Sequence, residues 1–331
     1  MKKVALTGIK PTGTPHLGNY LGSIQPALEL VKDYHSTYFI ADYHALTTLR
    51  DGRELRGLIH KVAATWLALG LDPDVSVFFQ QSRVPEVAEL NWILACFTAK
   101  GLLNRSHAYK ALVDENREAG RDLDEGVNAG LFTYPVLMSA DILAFGSDVV
   151  PVGQDQKQHV EIARDIASLV NHTLGKVFTE PEPLIRDSVK TVPGVDGRKM
   201  SKSYDNVLPI LEPAAVVRKQ VMRIVTDSKL PAEPKDPEAC NVFAIFRHFA
   251  EPARVEARRA QYQAGGLAYS EMKEELAAVL EARFASARMK YEALLKDPAG
   301  LDAILESGTQ KARAIAAPRL EKLRKKLGLR G

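Results

Sequence analysis

Apolar positions in the first half of the chain alternate between two periods. Val4-Ala5-Leu6 is a short apolar run ending in Gly8-Ile9-Lys10-Pro11-Thr12-Gly13, after which Leu17, Leu21, Ile24, Leu28 and Val31 recur in steps of four and three. The run predicts a buried strand, and the steps predict a helix from about Leu17 to Lys32 with one face on a sheet. Thr37-Tyr38-Phe39-Ile40-Ala41 predicts a second strand, Leu55, Ile59, Val62, Trp66 and Leu69 a second helix, residues 75–80 a third strand, and residues 87–97 a further helix. Alternating strands and helices imply an α/β domain on a parallel sheet with right-handed crossovers. Ligands of such sheets lie at the carboxyl ends of the strands, where Gly8, His44 and Gln81 fall.

Residues 100–128 break the pattern. They are polar and without apolar period, centred on Asp114-Glu115-Asn116-Arg117-Glu118-Ala119-Gly120-Arg121-Asp122, and predict an insertion (about residues 100–135) with a mobile tip that can cover the site. The α/β pattern resumes with a helix through Ala140, the strand Val149-Val150-Pro151-Val152 and a helix from Asp155 to about Leu169. Beyond Asn206 the chain reads as helical. Met272, Leu276, Val279, Phe284, Ala287, Tyr291 and Leu294 line a long helix, and a last helix spans about Gln310 to Leu327, kinked or broken at Pro318. The expected organisation is a domain of residues 1–206 and a helical region of residues 207–331, whose last helix can pack back on the first domain.

Composition changes this picture little. The chain has 331 residues, enough for one large α/β domain and a smaller helical one, and its net charge of +3 is too weak to announce a nucleic-acid partner. Locally, eight basic residues (Lys311, Arg313, Arg319, Lys322, Arg324, Lys325, Lys326 and Arg330) face one acid, Glu321, in the last stretch. That tail fits a phosphate backbone or, equally, a basic helix end matched to its own dipole. Cys96 and Cys240 are too few and too far apart for a disulfide framework or a zinc site, and Cys96 reads as a buried core thiol. With no signal peptide evident and no apolar run of membrane-spanning length, the expectation is a cytoplasmic protein.

Two stretches carry candidate chemistry. Lys199-Met200-Ser201-Lys202-Ser203 lies between the turn formers Pro193-Gly194 and Asp196-Gly197-Arg198 and the polar Tyr204-Asp205-Asn206, so it reads as a mobile loop. Two ammonium groups there suit charge that develops on a departing pyrophosphate; alone, such a pentapeptide is as often a solvated loop. At the N-terminus, a strand, a Gly/Pro/Thr turn and a helix start make an anion site from unpaired N–H groups and the helix dipole. His16 can donate to a phosphate oxygen, and Gly18 admits a planar base beside the backbone.

Together these stretches resemble the signatures of class I aminoacyl-tRNA synthetases. His16-Leu17-Gly18-Asn19 is similar to the HIGH motif, with Asn for the last His, and residues 199–203 match KMSKS without a substitution. Asp148-Val149-Val150-Pro151-Val152-Gly153-Gln154-Asp155-Gln156-Lys157-Gln158-His159-Val160-Glu161, with Tyr134-Pro135-Val136-Leu137-Met138-Ser139-Ala140-Asp141-Ile142-Leu143, resembles bacterial tryptophanyl-tRNA synthetases; the resemblance covers essentially the whole chain. It implies a Rossmann-like catalytic domain and a helical region that binds the anticodon of tRNA(Trp). It implies ATP-dependent activation of L-tryptophan with release of pyrophosphate, then transfer to the 3′-terminal ribose. Mg²⁺ would come bound to ATP, not in a protein cage, and the enzyme would be a homodimer.

The same resemblance implies residue roles. His16, Lys199 and Lys202 would be catalytic. Lys10, Pro11, Thr12, Gly18, Asn19, Gly153, Gln154, Asp155 and Val192 would bind ATP, as would the loop Lys199, Met200, Ser201, Lys202 and Ser203, with Lys110 reaching the same phosphates. Asp141 would accept the indole N–H, Met138 would wall the ring, Tyr134 and Gln156 would hold the amino and carboxyl ends, and His44 would sit beside the pocket. Lys10 stands where the common bacterial pattern has Gln, which alters the charge beside the substrates. Rival readings are a tyrosyl-tRNA synthetase of the same fold, a small-molecule nucleotidyltransferase, and a synthetase-like tRNA-binding module without catalysis.

Overall fold

The structure, a computed structural model, describes residues 2–185 and 192–329 apart from the side chains of Ala108 and Asp155, so Arg330 of the basic tail lies outside the described residues. Five strands form a parallel sheet in the order β3-β2-β1-β4-β5: β1 (Val4–Ile9), β2 (His35–Ile40), β3 (Val77–Gln80), β4 (Val149–Pro151) and β5 (Glu182–Leu184). β1 pairs with β2 from Val4 opposite His35 to Ile9 opposite Ile40, and with β4 where Ala5 meets Val149. The order therefore reverses between β1 and β4, and the reversal opens a crevice at the carboxyl ends of the strands. This is the Rossmann-like α/β architecture expected from the strand–helix alternation.

Strand residues divide between the two faces with a period of two. Tyr38, Ile40 and Phe78 pack with α1 (Leu17–Asn19), α2 (Gln25–Glu29) and, after the short α3 (Asp42–Ala45), α4 (Gly52–Ala68). Phe39 and Phe79 pack on the other face with α5 (Pro85–Phe97) and, beyond the insertion, α9 (Tyr134–Ala144) and α10 (Lys157–Leu174). The insertion carries α6 (Lys100–Leu103), α7 (His107–Glu118) and α8 (Ala129–Phe132). Four helices follow the Lys/Ser loop: α11 (Ala214–Met222), α12 (Asn241–Phe246), α13 (Pro252–Ala264) and α14 (Tyr269–Leu295). Their apolar faces join the core of α1, α2 and α4.

The last helix, α15 (Pro298–Lys326), begins well before the expected Gln310 and continues through Pro318. It crosses β3, the sheet edge, so closely that a Cβ on Gly308 would lie 1.7 Å from the Phe78 carbonyl oxygen. Only glycine permits that approach, and the helix covers an otherwise unpaired edge strand. Ion pairs from Arg313 to Glu86 and from Arg324 to Glu89 pin α15 to α5 on either side of Pro318.

One expectation, the buried Cys96, needs correction, and the readings of the insertion and of the basic tail are sharpened. The insertion is not a bare loop: α7 is a twelve-residue helix, and the buried Asn116 donates to the carbonyls of Leu123 (3.2 Å) and Glu125 (2.8 Å), folding the turn beyond it. On α7 itself Tyr109, Leu112 and Val113 are only half-buried and Ala111 is exposed, which is why no apolar period announces it. Cys96 is exposed. The inward face of α5 is filled by Val87, Leu90, Ile93 and Leu94, leaving Trp92 and Cys96, one turn apart, facing outward. The basic tail is largely committed within the fold: besides the two arginine pairs, Lys311 donates to Pro73 O, Arg319 to Ile315 O and Lys326 to Leu174 O.

Candidate active site

β1 delivers its C-terminal turn into the crevice, where a cavity of about 600 Å³ is lined by Lys10, Thr12 and Asn19 on one side and Gly153 and Gln154 on the other. The first-turn N–H groups of α1 are already spent, Leu17 N on Leu208 O (2.9 Å), Gly18 N on Met200 Sδ and Asn19 N on His16, so the anion site expected from unpaired N–H groups at this helix start is not formed by them. His16 caps α1: its Nδ1 accepts from Asn19 N (3.3 Å), and Asn19 Oδ1 accepts from His16 N (3.2 Å). With Nδ1 an acceptor, the neutral ring carries its proton on Nε2. Burial, then the nearby Lys202, holds the His16 imidazole down at about 4, so it is neutral at physiological pH. A Cβ on Gly18 would sit 3.0 Å from His16 Cε1, so the glycine makes room first for the chain's own imidazole, a tighter demand than the expected approach of a base.

The Lys/Ser loop folds over this turn. Lys202 Nζ donates to Thr12 O (2.9 Å), Gly18 N lies 3.3 Å from Met200 Sδ, and Met200 N donates to Val192 O (3.0 Å). Burial holds the Lys202 and Lys10 ammonium groups below the ordinary lysine range. A partly desolvated cation is attracted more strongly by an incoming anion than a solvated one. Lys199, Ser203 and Lys202 remain on the exposed side of the loop.

Deeper in, α9 carries Asp141 to a position only 1% exposed. His44 Nε2 lies 2.9 Å from Asp141 Oδ2, and Gln81 Nε2 donates to both carboxylate oxygens at 2.7 and 2.9 Å. Tyr43 N donates to Gln81 Oε1 (3.0 Å), which fixes the orientation of that amide. Burial pushes the Asp141 carboxyl above its usual range, while His44 and Gln81 pull it back. The Tyr134 ring packs 4.3 Å from His44 and 5.6 Å from His159, and His159 Nδ1 lies 2.9 Å from Gln156 Oε1. Met138 lies one turn before Asp141 on α9 and packs against the same core. The result is a buried carboxylate acceptor among rings, beside a crevice edged with cations.

Residues 2–285 match the model of the family described as tRNA synthetases class I (W and Y). The chain belongs to that family. Among its relatives is the tryptophan–tRNA ligase of Pseudomonas aeruginosa, 50% identical over 330 residues that span 98% of this chain and 73% of the relative. The tryptophan–tRNA ligase of Neisseria meningitidis is 48% identical, covering 99% of this chain and 98% of its own. The structure of tryptophanyl-tRNA synthetase from Campylobacter jejuni, complexed with ADP and tryptophan, superposes with a TM-score of 0.90 at 44% identity, covering 98% of this chain and 99% of that one. Within the family, the chain groups with the tryptophan enzymes.

Against this class I synthetase frame, Tyr134, Met138, Asp141, His44 and Gln156 gather into one packed cluster. Lys10, Thr12, Asn19, Gly153 and Gln154 gather around the cavity, with Pro11 buried between Lys10 and Thr12. The backbone of Asp155 lies in the turn Gln154–Gln156, and its side chain is outside the described ones. Lys110 stands exposed on α7 and is not part of the cavity lining. Two residues without an expected role stand out. Gln81, one position past β3, was legible as a crevice residue but not as the second clamp on Asp141. Asn206 closes the Lys/Ser loop from behind.

Proposed function

We propose that this chain activates L-tryptophan with ATP and transfers it to tRNA(Trp), as a tryptophan–tRNA ligase. The observation that carries the reading is Asp141. Indole offers a single donor and no acceptor, and Asp141 is a buried acceptor, already oriented by His44 and Gln81 and with lone pairs to spare. A phenol would ask the pocket for a donor as well, and the two donors that reach Asp141, His44 and Gln81, are spent on the carboxylate. The tyrosine reading is correspondingly weaker.

In the first step a tryptophan carboxylate oxygen bonds to the α-phosphorus, the bond to the bridging oxygen breaks, and pyrophosphate leaves with that electron pair. The amino acid is its own nucleophile, so the protein's part is positioning and stabilisation of charge. His16 Nε2–H donates to a phosphate oxygen, Lys10, Lys199 and Lys202 bind the triphosphate, and Lys202 follows the leaving pyrophosphate. In the second step the 2′-hydroxyl of the terminal ribose attacks the acyl carbon and AMP departs. Lys10 lines the cavity and Lys202 reaches its Thr12 edge, a cationic setting that fits a triphosphate and not a bare divalent cation, so Mg²⁺ belongs with ATP's own oxygens.

Residues 207–331 contribute the anticodon contacts, and the outward pair Trp92 (71% exposed) and Cys96 on α5 supplies an apolar face for a homodimer. Among the described residues no helix is long and apolar enough to cross a membrane, and the proposed place of work is the cytoplasm. Pyrophosphate exchange with each of the twenty amino acids tests the activity: tryptophan alone should support it, and equal or faster exchange with tyrosine would reject the assignment. Sedimentation tests the dimer, with Trp92→Glu expected to shift the mass to one chain.

A further inference from the structure

Most of the Lys/Ser loop is exposed, and burial alone does little to fix its shape; Met200 is its buried anchor. Its shape comes from behind. Asn206 is 1% exposed, and its side chain makes three hydrogen bonds, all onto this loop and its approach. Oδ1 accepts from Ser201 N (2.8 Å), while Nδ2 donates to Asp196 Oδ1 (2.7 Å) and to Lys199 O (3.1 Å). The Asn206 carbonyl accepts from Val195 N (2.9 Å) as well. Asp196 is itself fixed by Arg198, whose Nε donates to Asp196 Oδ2 (2.7 Å).

The surrounding backbone is shaped around this amide. A Cβ on Gly194 would lie 2.4 Å from Asn206 Cγ, so residue 194 has to be glycine. Asp205, immediately before, adopts the left-handed conformation (φ 49°) and closes the turn Lys202–Tyr204 by donating its N–H to Lys202 O (3.1 Å). The site needs one acceptor and two donors on a short planar group. Asparagine supplies them, whereas aspartate would set oxygen against oxygen at both Asp196 and Lys199.

We infer that Asn206 is a positioning residue for adenylate formation: with Asp196 it holds the backbone from Lys199 to Ser201 so that Lys199 and Lys202 meet the triphosphate. The inference rests on the reading that these two lysines act on ATP. Asn206→Asp is the primary test, in tryptophan-dependent pyrophosphate exchange. Its kcat should fall about 10- to 100-fold while the KM for tryptophan stays near that of the wild-type chain. Asp196→Asn combined with Asn206→Asp restores a donor facing an acceptor and should recover part of the loss. Hydrogen exchange of the unliganded protein should be faster in Asn206→Asp at the Met200 amide, which donates to Val192 O, because the lost donors held the adjoining Lys199 carbonyl, and unchanged around Asp141. With an active wild-type chain, an unchanged kcat or unchanged Met200 exchange in Asn206→Asp overturns the role of Asn206. So does a loss matched by tryptophan KM and thermal stability, without recovery in the double variant. Absence of exchange activity in the wild-type chain would instead overturn the functional reading of the site.

Discussion

On the proposed reading the site has a phosphate side, at the Lys/Ser loop, and an indole side, at Asp141, and the two solve different problems with different materials. On the phosphate side the charges stand on loops, Lys202 leans on a backbone carbonyl, and the cavity is open. On the indole side one carboxylate is buried on a helix and clamped by two side chains that are themselves buried. The first arrangement suits groups whose best partner arrives with the substrate and changes during the reaction. The second suits discrimination, because a buried acceptor left without its donor is costly. Under the proposed function, the contrast would give rate to the loops and choice of amino acid to the helix.

The largest expected effect removes Lys202. Lys202→Ala should lower the kcat of tryptophan-dependent pyrophosphate exchange about a hundredfold to a thousandfold, with the KM for tryptophan little changed. A variant that loses tryptophan affinity instead would erase the division. Asp141→Ala should do the reverse, lowering kcat/KM for tryptophan about ten- to a hundredfold while the KM for ATP holds. Gln81→Leu sharpens the point. Losing one donor to a buried carboxylate should cost about tenfold in tryptophan use and raise the Asp141 pKa further, and steady-state kinetics would expose a variant that behaves as wild type.

The smallest effect lies on the phosphate side. The unfolded chain binds a proton at His16 near the ordinary 6.5, the folded chain only near 4. Between those values the unfolded state holds more protons, so stability is lost as pH falls through this window and is constant above it. Denaturant midpoints at pH 7 and pH 5 should differ less for His16→Gln than for the wild-type chain.

What was legible in the sequence divides along related lines. Strands and helices that bury one face show it as a period, so β1, β2, α4 and α14 could be read directly. The Lys/Ser loop and the block around Asp141 are contiguous and specific enough to carry their chemistry. The clamp of Gln81 on Asp141 joins side chains sixty positions apart and has no local signal. The helix of α7 hides because it buries no apolar residue fully among those described, and the five residues Tyr20–Ile24 adopt a π-helical turn inside a stretch whose apolar steps read as ordinary helix. Pro318 pointed to a kink or a break, and the helix runs through it without a break, held by the packing of α15 on β3 and α5. The tail's basic residues read equally as a phosphate-binding run or as a helix end, and five of them bond within the chain.

The division of labour is tested most directly by the indole N–H itself. Pyrophosphate exchange can be compared for tryptophan and for 3-benzothienylalanine, in which sulfur replaces that N–H, in the wild-type chain and in Asp141→Ala. The wild-type chain should prefer tryptophan by about ten- to a hundredfold in kcat/KM, and Asp141→Ala should bring the ratio close to one. A preference that survives intact in Asp141→Ala would contradict the account.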